Sequence, residues 1–151
     1  MKKISKHISY KEAVSSNYAK QYSIKNKPNE EQVENMKLLA EKVFEPLREW
    51  VGCPIRVNSM FRSLELNTAL KGSITSSHMK GEAMDITSMG CDKEDCKTNL
   101  DMFHYIKDNL EFDQLIWEFG AEPKWLHVSY NKDKNRKQVL VTKRQGVYYT
   151  Y

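Results

Sequence analysis

An α+β fold, with an antiparallel sheet and helices packed on one side of it, is the architecture that the sequence predicts. In the first half of the chain, apolar residues recur at three- and four-residue spacing, which is typical of amphipathic helices. The second half holds short runs of strand-forming residues separated by turn or charged residues. Because these strands follow the helices rather than alternating with them, an antiparallel sheet is favoured over a parallel one.

The clearest predicted helix begins after Asn29 and ends near Gly52. Asn29 is a favourable N-cap residue, and Glu30 and Glu31 suit the positive end of the helix dipole. The apolar residues at helical spacing, which we expect to be buried, are Val33, Met36, Leu39, Val43, Leu47 and Val51. A short helix is also predicted near residues 10–14. A third helix has its apolar positions at Leu100, Phe103, Ile106 and Leu110.

Six segments are predicted to be strands. They span residues 55–60, 83–87, 114–119, 125–130, 139–142 and 147–151. The chain has 151 residues, a length typical of one domain. We therefore expect a single domain over residues 1–151, in which residues 1–28 form an N-terminal arm and residues 131–151 form C-terminal strands.

Composition limits the classes of partner. The net charge of +4 is compatible with an anionic partner, such as a nucleic acid or a cell-wall polymer, and equally with ordinary solubility. No recognition helix or basic aromatic sheet pattern supports nucleic-acid binding. No apolar stretch is long enough to span a membrane, and no heptad seam is present, so we expect a monomer. The basic N-terminus lacks an apolar stretch of signal-peptide length, which predicts synthesis in the cytoplasm without a signal peptide.

The cysteines do not form a metal or redox motif. No CxxC pair occurs among the three cysteines, Cys53, Cys91 and Cys96. An odd number of cysteines argues against a secreted disulfide framework. A local disulfide between Cys91 and Cys96 in an oxidising medium stays open as an alternative.

Two histidines and an aspartate are candidate metal ligands. His78 and Asp85 lie on a predicted turn and the strand after it, and His127 lies on a later strand among bulky apolar residues. Two imidazoles and a carboxylate suit Zn²⁺, and three protein ligands leave the fourth tetrahedral position open, as in catalytic zinc sites. Each residue taken alone is also compatible with an ordinary loop or a core histidine.

Three separated motifs resemble one family. The pattern S-x-H-x-x-G-x-A-x-D is met in full from Ser76 to Asp85, W-x-H-x-S is met from Trp125 to Ser129, and S-x-x-R-S is met from Ser59 to Ser63, with Asn67 following. The sequence thereby resembles the zinc-dependent peptidoglycan peptidases, which include D-Ala-D-Ala carboxypeptidases and phage L-Ala-D-Glu endopeptidases, and in particular their compact phage or prophage members. The resemblance extends to about Tyr130.

This resemblance implies a fold, a cofactor and residue roles. The fold would be the hedgehog/DD-peptidase fold, and zinc would be the only cofactor, held by His78, Asp85 and His127. Arg62 matches the arginine that points at the substrate carbonyl in the family, where a fixed guanidinium can stabilise a developing oxyanion. Ser76 would bind the substrate carboxylate or make a hydrogen bond near the site.

The general base departs from the family pattern. Many members carry an acid three residues before the last histidine, where this sequence has Lys124. The nearest acids are Glu118, at the end of a predicted strand, and Glu122, in the loop that follows. A hairpin between this strand and the strand of His127 would bring Glu118 to the metal, so we assign the base to Glu118, with Glu122 as the alternative.

The function expected from these residues is zinc-dependent hydrolysis of peptide bonds in the stem peptides of peptidoglycan. The protein would act as a phage or prophage endolysin or as a D,D-carboxypeptidase, reaching the cell wall after release from the cytoplasm. The alternative is a non-catalytic, zinc-containing module that binds the cell wall or forms part of a phage particle, which Lys124 favours. The bond that is cut stays open between D-Ala-D-Ala, L-Ala-D-Glu and another stem linkage.

Overall fold

A computed structural model describes residues 3–90 and 95–151 of the chain. The N-terminal arm forms a small two-stranded sheet, β1 (Lys3–Ser5) and β2 (Ile8–Ser9), followed by the short helices α1 (Tyr10–Ala13) and α2 (Asn17–Gln21). The helix α1 confirms the helix predicted near residues 10–14. The small sheet and α2 were not predicted, because their segments are too short to show a periodicity.

The long predicted helix is present but contains a π-helical turn. Helix α3 (Glu30–Leu39) begins at Asn29 with a capping box, a π-helical turn covers Ala40–Phe44, and α4 (Glu45–Val51) ends at Gly52 in the left-handed conformation. Pro46 has no N–H to donate to the preceding turn, and the wider turn directly before it accommodates this loss. Two further helices are α5 (Leu64–Ala69) and α6 (Asn99–Asn109).

The second half of the chain builds most of a six-stranded sheet. Its strands are β3 (Ile55–Ser59), β4 (Ala83–Ser88), β5 (Gln114–Glu118), β6 (Trp125–Ser129), β7 (Gln138–Arg144) and β8 (Val147–Thr150). The spatial order is β3-β4-β6-β5-β7-β8. All six predicted strands are therefore confirmed.

The predicted antiparallel sheet is wrong for one pair of strands, since β7 runs parallel to β5. Strand β6 is already paired on both sides, with β4 and β5, so β7 joins the sheet at the free edge of β5. The end of β6 lies beside the start of β5, because the two are antiparallel. A short connection leads from β6 to β7, and Arg136 in it binds Asp113, directly before β5. Strand β7 therefore starts beside the start of β5 and runs parallel to it.

The two faces of this sheet have different roles. Alternate residues of the central strands form a core face that packs against α6, and Met84, Leu126 and Val128 on it are fully buried. The opposite face, called the site face here, carries Asp85 and His127, which are directly paired on β4 and β6. Among the described residues, no helix combines the length and apolar character needed to cross a bilayer.

Candidate metal centre

Three side chains meet on the site face: His78, Asp85 and His127. His78 lies on a short 3₁₀ helix, Ser77–Lys80, that leads into β4. The Oδ1 atom of Asp85 is 3.3 Å from His78 Nε2 and 3.0 Å from His127 Nδ1. One possible ligand atom from each residue lies within 4.8 Å of the other two, so the sequence-predicted ligands form one cluster.

A backbone carbonyl orients His78. Its Nδ1 lies 2.7 Å from the carbonyl oxygen of Met60, and only a protonated ring nitrogen can pair with a carbonyl. In the neutral ring, Nδ1–H therefore donates to Met60, and the lone pair of Nε2 faces Asp85. This leaves Nε2 as the nitrogen that can bind a metal, and a hydrogen bond from the far nitrogen is the usual support for a metal-binding histidine.

Charge is concentrated on Asp85, whose side chain is only 13% exposed. Burial opposes its ionisation, but the charges and hydrogen bonds of His78 and His127 outweigh burial and hold the pKa of this carboxyl well below its usual value. Its second oxygen, Oδ2, lies 3.4 Å from a terminal nitrogen of Arg62. Asp85 is thus ionised, and its two oxygens face different partners.

The distances from Asp85 to the two histidines fit a tetrahedral zinc ion. Zinc–nitrogen bonds of about 2.0–2.1 Å place neighbouring ligand atoms roughly 3.3–3.4 Å apart at tetrahedral angles. The distances of 3.3 Å and 3.0 Å from Asp85 to the two histidines are close to that value. The donor set of two imidazoles and one carboxylate is one that zinc prefers.

Arg62 lies beside the cluster on a fixed stem. Its Nε donates to the Ser59 hydroxyl at 3.0 Å, and its backbone N–H donates to the carbonyl of His78 at 3.2 Å. Ser59 is paired with Asp85 in the sheet, next to an irregularity in the β3–β4 register. The guanidinium is therefore held against Asp85, a contact that the sequence did not indicate.

The turn that carries His78 is fastened to α3. Gln32 donates its side-chain N–H to the Met79 carbonyl at 2.9 Å, and Asn35 donates to the Lys80 carbonyl at 2.9 Å. Gly81 has a φ of 73°, and a Cβ there would lie 2.3 Å from the backbone oxygen of Gln32. The glycine of the motif therefore serves both a left-handed turn and a close approach to the helix.

Ser76 caps the same turn. Its hydroxyl accepts a hydrogen bond from the backbone N–H of His78 at 3.3 Å. Ser63 and Asn67, which belong to the upstream motif, also have structural contacts. Ser63 caps α5 by accepting from Leu66 N–H, and Asn67 donates to the Ser73 carbonyl in the loop that leads to Ser76.

Glu118 ends β5 on the site face. The β5–β6 hairpin forms as predicted, with Glu118 paired to Trp125 and the neighbouring pair on that face joining Ile116 to His127. Burial raises the pKa of Glu118 to about 7, the charge of His127 opposes this, and the negative charge of Asp85 adds to it. A half-buried carboxyl that titrates near neutrality is suited to general acid–base chemistry.

The two other candidate positions lie on the exposed turn between β5 and β6. Glu122 is exposed, and Lys124, also exposed, donates its backbone N–H to the carbonyl of Glu118 at 2.9 Å. Of the two acids considered for the base, the structure brings Glu118 to the site face and leaves Glu122 on the turn. The alternative disulfide rests on Cys91, which lies outside the described residues.

Comparison with known families agrees with this geometry. The sequence model of the family Peptidase M15 matches residues 6–129. No curated protein matches the chain. The matched segment contains Arg62, the three residues of the metal cluster and Glu118. Because the match covers well over half of the chain, the protein belongs to the Peptidase M15 family of zinc-dependent metallopeptidases.

Proposed function

We propose that the protein hydrolyses peptide bonds in the stem peptides of peptidoglycan, with zinc held by His78, Asp85 and His127. The observation that carries the proposal is the convergence of these three donors on one face of the sheet, with Glu118 on that face. Family membership supports a zinc peptidase. In its most specific form, the proposal is that the protein has the hedgehog/DD-peptidase fold and is a phage or prophage endolysin. It would reach the cell wall after release from the cytoplasm.

The chain's own residues have separate tasks in this reaction. Bound zinc supplies Lewis-acid activation and a water molecule of lowered pKa. Glu118 accepts a proton from the attacking water and returns it to the leaving amine, which the raised pKa of its carboxyl favours. The three residues of the cluster hold the ion, and the turn fastened to α3 keeps His78 in place.

Arg62 is proposed to have two contacts with this centre. One terminal nitrogen donates to Asp85, and the remaining N–H groups of the guanidinium are available to the substrate carbonyl oxygen. A lost oxyanion donor typically lowers turnover about 10²–10³-fold. Arg62→Lys keeps the charge but not the planar fork, so hydrolysis should fall clearly while zinc content stays normal. Loss of zinc in this variant would show instead that Arg62 acts through Asp85.

The reaction is tested with purified peptidoglycan. New amino groups should be released by the protein, should stop forming after a chelator removes the metal, and should form again after zinc is returned. Chelator-resistant release would contradict a zinc peptidase. Zinc binding without any release would favour the second candidate, a non-catalytic cell-wall-binding or phage structural module, for which Lys124 at the family's acid position is the supporting observation.

A further inference from the structure

The C-terminal hairpin completes the sheet beyond the segment that the family model matches. Strands β7 and β8 lie after residue 129, where the match ends. Pairing of β7 with β5 attaches the hairpin to the strand of Glu118. Tyr151, which follows β8, packs edge-on against Phe103 of α6 with ring centroids 5.0 Å apart and stacks on Trp117. The hairpin is thus fixed to both the sheet and the helix.

Strand register places Tyr148 on the site face. Glu118 is paired with Thr142 on β7, and Thr142 is paired with Tyr148 on β8. Directly paired residues in a sheet project to the same face, so the Tyr148 side chain lies on the face of Glu118, two strands away. Tyr149 is the next residue on the strand and projects to the opposite face.

The charged groups of the site affect the pKa of the Tyr148 phenol. Burial raises its pKa, and the negative charges of Glu118 and then Asp85 raise it further. The hydroxyl therefore keeps its proton at neutral pH and is a hydrogen-bond donor. None of the hydrogen bonds found among residues 3–90 and 95–151 involves this hydroxyl, and the residue is 51% exposed, so a ligand on the site face can reach it.

We propose that Tyr148 is a substrate-contacting residue that donates a hydrogen bond to a backbone carbonyl oxygen of the stem peptide beside Glu118. The inference rests on the proposed function and extends its substrate site onto a hairpin outside the matched segment. A backbone carbonyl is the acceptor that fits, because the protonated Tyr148 hydroxyl is a donor and every peptide unit of the substrate presents a carbonyl oxygen.

The test compares Tyr148→Phe with Tyr149→Phe, a matched control on the same strand with 52% exposure. Each variant loses one hydroxyl, and only the first loses it on the site face. With a synthetic stem peptide, Tyr148→Phe should lower kcat/KM about tenfold, the effect of losing one hydrogen bond. The loss should lie in KM, because the contact is made with bound substrate and transition state alike. Tyr149→Phe should stay within about twofold of the wild type, and both variants should keep normal zinc content and Tm.

Equal kinetics for the two variants would overturn the inference, and so would a loss shared by both, which would point to the hairpin's stability. Calorimetric binding of the same peptide separates this inference from the proposed function. If the wild type binds the peptide without cleaving it, the proposed activity is overturned. If Kd is then raised about tenfold in Tyr148→Phe and unchanged in Tyr149→Phe, the Tyr148 contact is supported. A wild type that neither binds nor cleaves the peptide would overturn both.

Discussion

Glu118 and Asp85 are both carboxylates on the site face, and their surroundings give them opposite properties. Asp85 lies between two histidines and Arg62, which favour its ionised form. Glu118 is half-buried, no cation is paired with it among the described residues, and burial raises its pKa to about 7. The first is therefore suited to hold a cation, and the second to exchange a proton.

Replacing Glu118 by Gln tests the second role. The amide keeps the shape of the side chain but accepts no proton, so turnover should fall at least about 10²-fold while zinc content stays at the wild-type level. The matched control is Glu122→Gln on the exposed turn, which should change turnover little. Hydrolysis rates and zinc content would be measured on the same preparations, and the opposite ranking of the two variants would transfer the role to Glu122.

The raised pKa of Glu118 also predicts a pH dependence of stability. Its pKa is about 7 in the folded protein against an ordinary value of 4.5, so the folded state binds this proton more tightly than the unfolded state does. This stabilisation is complete below about pH 4.5 and is lost as the pH rises through about 7. With the metal removed by a chelator, the wild type should therefore lose stability relative to Glu118→Gln between about pH 5 and about pH 8. Urea unfolding of both proteins measures this difference, and a difference that does not vary with pH would contradict it.

At the scale of secondary-structure elements, the metal centre depends on how the turn before β4 is held. Gly81 lets this turn approach α3, where Gln32 and Asn35 bind its carbonyls. The side chain of His78 is then fixed from the other side by the carbonyl of Met60. Two elements distant in sequence therefore determine the position of the His78 side chain.

Gly81→Ala should damage both stability and zinc binding. The new methyl group would meet the backbone of Gln32, in addition to a left-handed strain of about 1–2 kcal/mol. Gly52→Ala is the control, because Gly52 has nearly the same φ, 72° against 73°, and no atom of the described residues lies within 4 Å of an added Cβ. In unfolding experiments, Gly81→Ala should lose more stability than Gly52→Ala. In zinc titrations, only Gly81→Ala should bind zinc more weakly than the wild type. Indistinguishable results for the two variants would show that the close approach does not matter.

The elements themselves were largely predictable from the sequence. Hydrophobic spacing located the long helix and α6, which bury one face against the core, and runs of strand-forming residues between turns located the six strands. It did not indicate the π-helical turn, which depends on the local effect of Pro46, or the parallel pairing of β7 with β5. That pairing depends on β5 keeping a free edge after β4, β5 and β6 have joined, and no local pattern records it.

At the scale of the whole molecule, one face of the sheet belongs to the hydrophobic core and the other carries the candidate site. Its core face packs on α6, while its site face carries the metal cluster, Glu118 and Tyr148. The cluster of His78, Asp85 and His127 could be predicted because these residues stand in short motifs with fixed spacing. The contact of Arg62 with Asp85 and the approach of Tyr148 could not, because both arise from strand pairing between residues far apart in the chain.

The central claim is that His78, Asp85 and His127 together hold one zinc ion that hydrolysis requires. Zinc content and stem-peptide hydrolysis, measured on the same preparations of the wild type and of His78→Ala, Asp85→Ala and His127→Ala, test it most directly. We predict about one zinc per wild-type chain, and the loss of both zinc and hydrolysis in each variant, because two remaining ligands hold the ion too weakly. Full zinc content in all three variants, or normal hydrolysis in any of them without zinc, would contradict the claim.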